Sequence, residues 1–155
     1  MRRLRAAQST VEFALLSGVL FLLVMGIFDL GRAVAVYIGI AEAAHEGARQ
    51  LVLRSNAIST PPDTVIVNAT LAKIGGGGLI LIEDPCLPGC SSPAQASTNP
   101  PANSGYIWIT PNRTPGNHEV TVQIKYAFSP MTAMISQLTG TTITMTASSS
   151  MRAEY

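Results

Sequence analysis

Residues 8–34 read QSTVEFALLSGVLFLLVMGIFDLGRAV, and this stretch decides the fold. Its centre, residues 13–28, contains no charged residue and would form a helix about 24 Å long. Extending the helix to Val11 and Leu30 gives about twenty residues, which is the length needed to cross the roughly 30 Å hydrocarbon core of a bilayer. We therefore predict a membrane-spanning segment at about residues 11–30.

Charges flank this apolar run on both sides. Glu12 and Asp29 lie near the two interfaces of the predicted span, where headgroups or water would reach their carboxylates. Basic residues near a span favour the cytoplasmic side of the membrane. Three of them precede the run, which predicts a cytoplasmic N-terminus and an outer location for everything after Leu30; they are Arg2, Arg3 and Arg5.

Three interpretations of this segment remain open. A cleaved secretory signal needs a small-x-small site, and residues 33–35 and 41–43 each provide one, although Asp29 and Arg32 place charges before them. A plain single-pass anchor explains the apolar run but gives no reason for Glu12. A prepilin-type leader is removed on the cytoplasmic side and leaves the apolar helix on the mature protein, and this interpretation does explain the glutamate.

The segment AAQSTVEFALL, residues 6–16, resembles the start of type IV prepilins. In those proteins the cut follows a small residue, usually glycine, and the fifth mature residue is glutamate. The resemblance implies that Ala7 ends the leader and that Gln8 begins the mature chain. It also implies that Glu12, followed by Phe13, serves assembly by meeting the N-terminal amine of a neighbouring subunit, since a carboxylate in an apolar bundle needs a cationic partner. The alternative is a lone interfacial glutamate that faces water.

The helical pattern continues beyond the predicted span. Four small or apolar residues recur at helical spacing, which predicts one apolar face made of Val34, Ile38, Ala41 and Ala48. We therefore predict one long helix over residues 8–54, preceded by a leader at residues 1–7. This helix would leave the bilayer near Asp29 and become amphipathic.

Three segments together resemble TadE-like proteins, the pseudopilins or minor pilins of tight-adherence (Tad/Flp) type IV pilus systems. They are QSTVEFALL at 8–16, GIFDLGRAV at 26–34 and AAHEGARQL at 43–51. The C-terminal residues 118–155 also resemble the closing strand, short helix and strand of that family. The resemblance implies a component of pilus assembly in surface adhesion, whose partners are a prepilin peptidase, the major and other minor pilins and the pilus assembly platform. Ala7, where relatives usually have glycine, is a departure from the family pattern.

The remaining residues, 55–155, predict an extracytoplasmic α+β domain. A second helix is predicted after Pro61-Pro62-Asp63, with a strand as the alternative because Val65–Val67 is β-branched. A short helix is predicted in SPMTAMISQL, residues 129–138. Four stretches predict strands, the first of them buried: LILIED (79–84), YIWIT (106–110), HEVTVQIKYAF (118–128) and TTITMTASSSM (141–151).

The third and fourth of these strands alternate apolar and polar residues and need an apolar cover on one face. In the third strand the apolar residues are Val120, Val122, Ile124, Tyr126 and Phe128. The outer half of the long helix is the natural cover. The expected fold is α+β and pilin-like, with a long N-terminal helix, membrane-embedded in its first half, packed on a small and mainly antiparallel sheet.

Cys86 and Cys90 form the motif CLPGC beside prolines and glycines. Two cysteines cannot complete a tetrahedral zinc site, so no metal site is expected here. A small disulfide loop is predicted if the domain is exported, and two free thiols are the alternative.

No set of catalytic residues stands out, and we expect no enzymatic activity, no metal and no cofactor. The net charge of +1 gives no field that would attract nucleic acid.

Two classes of function remain. One is a structural assembly protein in the membrane, with its C-terminal domain outside and a place in a surface pilus. The other is a single-pass anchored or secreted binding module that never polymerises, and the leader together with Glu12 distinguishes the two.

Overall fold

The computed structural model describes residues 2–55, 63–74, 79–87, 89–110, 119–132, 135–137 and 140–152. Within them the elements follow as α1 (Arg2–Ser55), α2 (Asp63–Ile74), β1 (Ile80–Glu83), a 3-10 turn (Pro93–Gln95), β2 (Ser104–Ile109), β3 (Glu119–Phe128) and β4 (Ile143–Arg152). The predicted α+β class is confirmed, because the long helix packs on a four-stranded sheet. The Pro61-Pro62 pair at the predicted start of this helix lies outside the described residues.

Helix α1 runs through 54 residues without a break, which corresponds to about 81 Å. No proline occurs in this range, so every backbone N–H beyond the first turn can join the helical hydrogen-bond ladder. The helix includes residues 2–7, so the predicted leader and the predicted mature helix form one continuous element. The predicted helix over residues 63–74 is present as α2, and the strand alternative for that segment is wrong.

The sheet has the strand order β1-β2-β3-β4. Strands β1 and β2 are parallel, whereas β2–β3 and β3–β4 are antiparallel, with Ile107 opposite Ile124 and Ile124 opposite Ala147. The alternation predicted for β3 is confirmed, because all five residues predicted for its apolar face are buried. The parallel β1–β2 pair requires a long crossover, and residues 84–103 provide it.

The main core lies between the outer half of α1 and one face of the sheet, and α2 closes its side. Helix α1 contributes small residues that allow close packing, together with two larger aliphatic side chains: Ile40, Ala43, Ala44, Ala48 and Leu51. A second, smaller cluster lies on the other face of the sheet. There Trp108 packs against Cys90 and Ala96 of the crossover.

The face of α1 that meets the sheet differs from the predicted one. Ala48 is buried and Ala41 is partly buried, but Val34 and Ile38 are exposed. Ile38 lies about 160° around the helix from Ile40, which is fully buried. Residues 33–41 are apolar nearly all round the helix, so their spacing could not select the side on which the sheet packs.

The prediction that residues 79–84 form a buried strand is also wrong in one respect. The strand exists as β1, but it lies at the edge of the sheet and only its central Leu81 is buried. Ile80 and Ile82 point away from the core, and Ile80 is 62% exposed. An edge strand that pairs on one side only can keep an apolar composition without being covered on both faces.

Candidate functional site at the N-terminal helix

The first half of α1 carries a bare apolar surface. Among the described residues, α1 is the one helix long and apolar enough to cross a membrane. Its large apolar side chains between Val11 and Leu30 are all exposed. Such an apolar surface, far larger than single exposed side chains on a soluble protein, needs lipid or partner helices around it.

The residues predicted for leader cleavage and assembly all lie on this half of the helix. Ala7 and Gln8 occupy consecutive helical positions, and Phe13 is exposed. The Gln8 side-chain amide donates a hydrogen bond to Glu12 Oε1 over 3.3 Å, one turn further along. Glu12 itself is exposed, so its carboxylate also faces outwards, where a second group could reach it. The geometry therefore presents a carboxylate on the surface of an apolar helix.

Asp29 lies in a different environment from the predicted one. We expected its carboxylate to reach headgroups or water, but the residue is only 7% exposed, and that expectation is wrong. The connection between β3 and β4 covers it. Asp29 Oδ1 accepts a hydrogen bond from the backbone N–H of Met131 over 3.1 Å, and Oδ2 accepts one from Thr132 over 2.9 Å.

Arg32, one turn after Asp29, holds the same connection. Its guanidinium donates a hydrogen bond to the backbone carbonyl of Ser129 over 2.9 Å. The guanidinium carbon also lies 4.7 Å from the centre of the Phe128 ring, in cation–π contact. Burial raises the pKa of nearby Tyr126, and the positive charge of Arg32 partly opposes that rise. We call Asp29 and Arg32, with residues 128–132 that they contact, the exit clamp.

Sequence reasoning missed the exit clamp. Its partners lie about a hundred positions away in the chain, so no local spacing relates them. The one feature of the sequence that could have indicated the exit clamp is the pair of charged residues. Asp29 and Arg32 lie on one side of the helix at the end of an apolar run. Two opposite charges at that spacing can serve an outside partner as well as each other.

The crossover between β1 and β2 contains the two cysteines. Cys86 and Cys90 form a disulfide, with their Cα atoms 5.6 Å apart. The buried carboxylate of Asp84 organises the same segment, because it accepts hydrogen bonds from the backbone N–H of Cys86 (2.9 Å) and of Ser97 (2.8 Å). Lys125 donates to the backbone carbonyl of Ala96 over 2.9 Å and ties the crossover to β3. The disulfide loop is thus part of the cover over Trp108.

Comparison with known proteins agrees with the N-terminal geometry. The family model for TadE-like proteins matches residues 7–49. No curated protein and no solved structure matches the chain. The matched range begins at the predicted cleavage position, includes Glu12 and the two charged residues of the exit clamp, and ends in the core half of α1. The resemblance inferred from the sequence is confirmed over these residues: residues 7–49 match the TadE-like family model, and they make up just over a quarter of the chain.

Proposed function

We propose that this protein is a minor pilin or pseudopilin that helps to build a tight-adherence type IV pilus used in surface adhesion. The TadE-like match associates the chain with Tad pili, and one apolar N-terminal helix suggests a single-pass membrane anchor. The observation that carries the finer proposal is Glu12, an exposed carboxylate at the start of a bare apolar helix. A simple anchor has no use for a charge at that place.

Cleavage between Ala7 and Gln8 would create a cationic partner for Glu12. A new α-amino group has a pKa near 8 and is mainly protonated at neutral pH. In an assembled bundle of apolar helices, the amine of one subunit and the carboxylate of the next would neutralise each other. An uncompensated charge in such surroundings would cost several kcal/mol, so the pair also selects the axial offset between subunits.

The proposed topology follows from the same helix. The N-terminus lies in the cytoplasm, where a prepilin peptidase removes residues 1–7, and the domain after Leu30 lies outside. The partners are the membrane, that peptidase, the major and other minor pilins, and the assembly platform. We propose a structural role without catalysis of its own.

The N-terminus of the mature protein tests this proposal. We expect mass spectrometry of the protein from native membranes to find a chain that begins at Gln8. In a strain that lacks the prepilin peptidase, the same measurement should find the uncleaved chain. A start at Val36 or Ala44 would indicate a signal-peptidase cut and a secreted module. An uncleaved chain in the wild-type strain would indicate a plain anchor.

A further inference from the structure

The connection between β3 and β4 lies beside the apolar run of α1. If a Cβ were added to Gly26, it would lie 3.8 Å from Ile135 Cδ1. Gly26 belongs to the predicted span and precedes Asp29 by three residues, which is about 4.5 Å along the helix axis. The connection therefore extends past the exit clamp towards the membrane side of the molecule.

The surface at this place is apolar and exposed. Met131, at the start of the connection, is 81% exposed, and Phe28 on the adjacent helix is 71% exposed. Together with Met25 and Ile27 they line one groove, to which Asp29 and Arg32 contribute the polar edge. Water is a poor solvent for such a surface, and lipid is a good one.

Charge is distributed along the chain in a way that fits this surface. No Asp, Glu, Lys or Arg occurs from residue 126 to residue 151, which includes the entire β3–β4 connection. Charged residues reappear at the far ends of the same two strands, where Glu119 pairs in register with Arg152. The end of the sheet nearest the predicted span is thus the uncharged one.

Backbone near lipid needs partners for its polar groups, and the exit clamp supplies three of these partners. Asp29 accepts the N–H groups of Met131 and Thr132, and Arg32 donates to the Ser129 carbonyl. The N–H groups of Ile135 and Ser136 bond to the Thr132 carbonyl at 3.0 and 3.1 Å. Six backbone groups of the connection are therefore hydrogen-bonded within the molecule.

We propose that the β3–β4 connection, through its described residues 129–132 and 135–137, is a second membrane contact, where the exposed side chain of Met131 inserts into the lipid interface beside α1. The inference rests on the anchoring of α1 in a bilayer but not on pilus assembly. It gives the outer domain two points of attachment, which fix its tilt and rotation against the membrane surface.

Spin labelling of the full chain in vesicles of phosphatidylethanolamine and phosphatidylglycerol tests the proposal. Single cysteines replace Met131, Val19 and Leu53, and labelling proceeds without reductant so that the Cys86–Cys90 disulfide stays closed. Val19→Cys marks the predicted span. Leu53→Cys is the matched aqueous control, because Leu53 is also exposed and apolar but lies about 36 Å beyond Asp29 on the same helix. Collisions with oxygen report lipid, and collisions with a water-soluble nickel complex report water.

We expect the label at position 131 to fall between the other two labels, with oxygen access below that at position 19 and nickel access several-fold lower than at position 53. Nickel access equal to that at position 53 would overturn the proposal. Low access to both reagents would show a protein neighbour, such as a second copy, and would also overturn it. The label at position 19 reports separately whether α1 spans the bilayer, and the mature N-terminus reports separately on the pilin proposal.

Discussion

The Glu12 carboxylate faces outwards at the start of the apolar run of α1. We predict that Glu12→Ala leaves insertion and the outer domain intact but greatly reduces incorporation into the pilus. Removal of a charge from the edge of a span favours insertion slightly, whereas the partner for a neighbour's amine is lost. Glu12→Gln should behave in the same way, since it keeps the shape and loses the charge.

The measurement is pilus formation, or co-purification with the other pilus subunits, in strains that carry each variant at normal abundance. Glu42→Ala is the control, because it removes an exposed carboxylate from the outer part of the same helix. Wild-type assembly by both Glu12 variants would remove the reason to prefer an assembly role over a simple tether.

Asp29 makes the two hydrogen bonds that hold the β3–β4 connection to α1. We predict that Asp29→Asn loosens this connection, because the amide group offers one acceptor where the carboxylate offers two, and directs its own N–H groups at a backbone donor. Hydrogen exchange at the amides of Met131 and Thr132 should become faster, while exchange in the middle of β3 should not change.

Glu42→Gln again serves as the matched control, since it makes the same chemical change at an exposed position of α1. Unchanged exchange at Met131 and Thr132 in Asp29→Asn would show that the carboxylate does not hold the connection in solution.

At the scale of elements, α1 packs tightly against α2 and β3 at Gly47. A Cβ at this position would lie 2.6 Å from Thr70 Oγ1 and 3.3 Å from Val122 Cγ1. At Gly39, on the same helix, the nearest atom would be Leu79 Cδ1 at an ordinary 3.6 Å. We predict that Gly47→Ala is less stable than Gly39→Ala by about 1–3 kcal/mol, the usual cost of overpacking a core.

The comparison between these two variants cancels the gain of about 1 kcal/mol that alanine brings to any helix interior. Thermal unfolding of the full chain in detergent, followed by the fluorescence of buried Trp108, provides the measurement. Equal unfolding midpoints for the two variants would show that the helices adjust and that Gly47 is not required for their packing.

The sequence predicts an element and its buried face where apolar residues lie on one face of that element and polar residues on the other. Strand β3 alternates, and every second residue from Val120 to Phe128 faces the core as predicted. The burial of β1 was not predictable, because an edge position depends on strand order, which the hydrophobic pattern of residues 79–84 does not contain. The prediction of which face of α1 meets the sheet was wrong for a related reason. Val34 and Ile38 are as apolar as the residues of α1 that pack against the sheet.

Some residues of the candidate site could be predicted from the sequence and others could not. Gln8, Glu12 and Phe13 could be identified because a fixed spacing within one helix relates them to the cleavage position. Asp29 and Arg32 could not, because their partners Ser129 to Thr132 come from a distant part of the chain and are mainly backbone atoms, which carry no sequence signature.

At the scale of the whole molecule, the main core uses only the second half of α1. Among the described residues, the first member of that core and of its partly buried fringe is Ala33. We predict that a chain beginning at Met25 folds without detergent and has the same β-sheet signal and buried Trp108 fluorescence as the full chain in detergent. This start keeps Gly26, which Ile135 approaches, and the exit clamp.

The full chain in detergent is the reference, and a chain beginning at Ile40 is the control that should not fold, because it lacks Ala33, Val36 and the clamp residues of α1. An unfolded or aggregated chain from Met25 would show that the first half of α1 is needed for the fold as well as for anchoring.

Because α1 is one continuous helix, the molecule has no compliant linker between its anchor and its domain. A force that draws the anchor along its axis is transmitted directly to the packing of Ile40 and Leu51 against the sheet. That packing, together with the hydrogen bonds of Asp29 and Arg32, is loaded in shear, so many contacts share the load instead of failing one after another. When the helix of such a protein is pulled from a bilayer, the domain moves together with the helix.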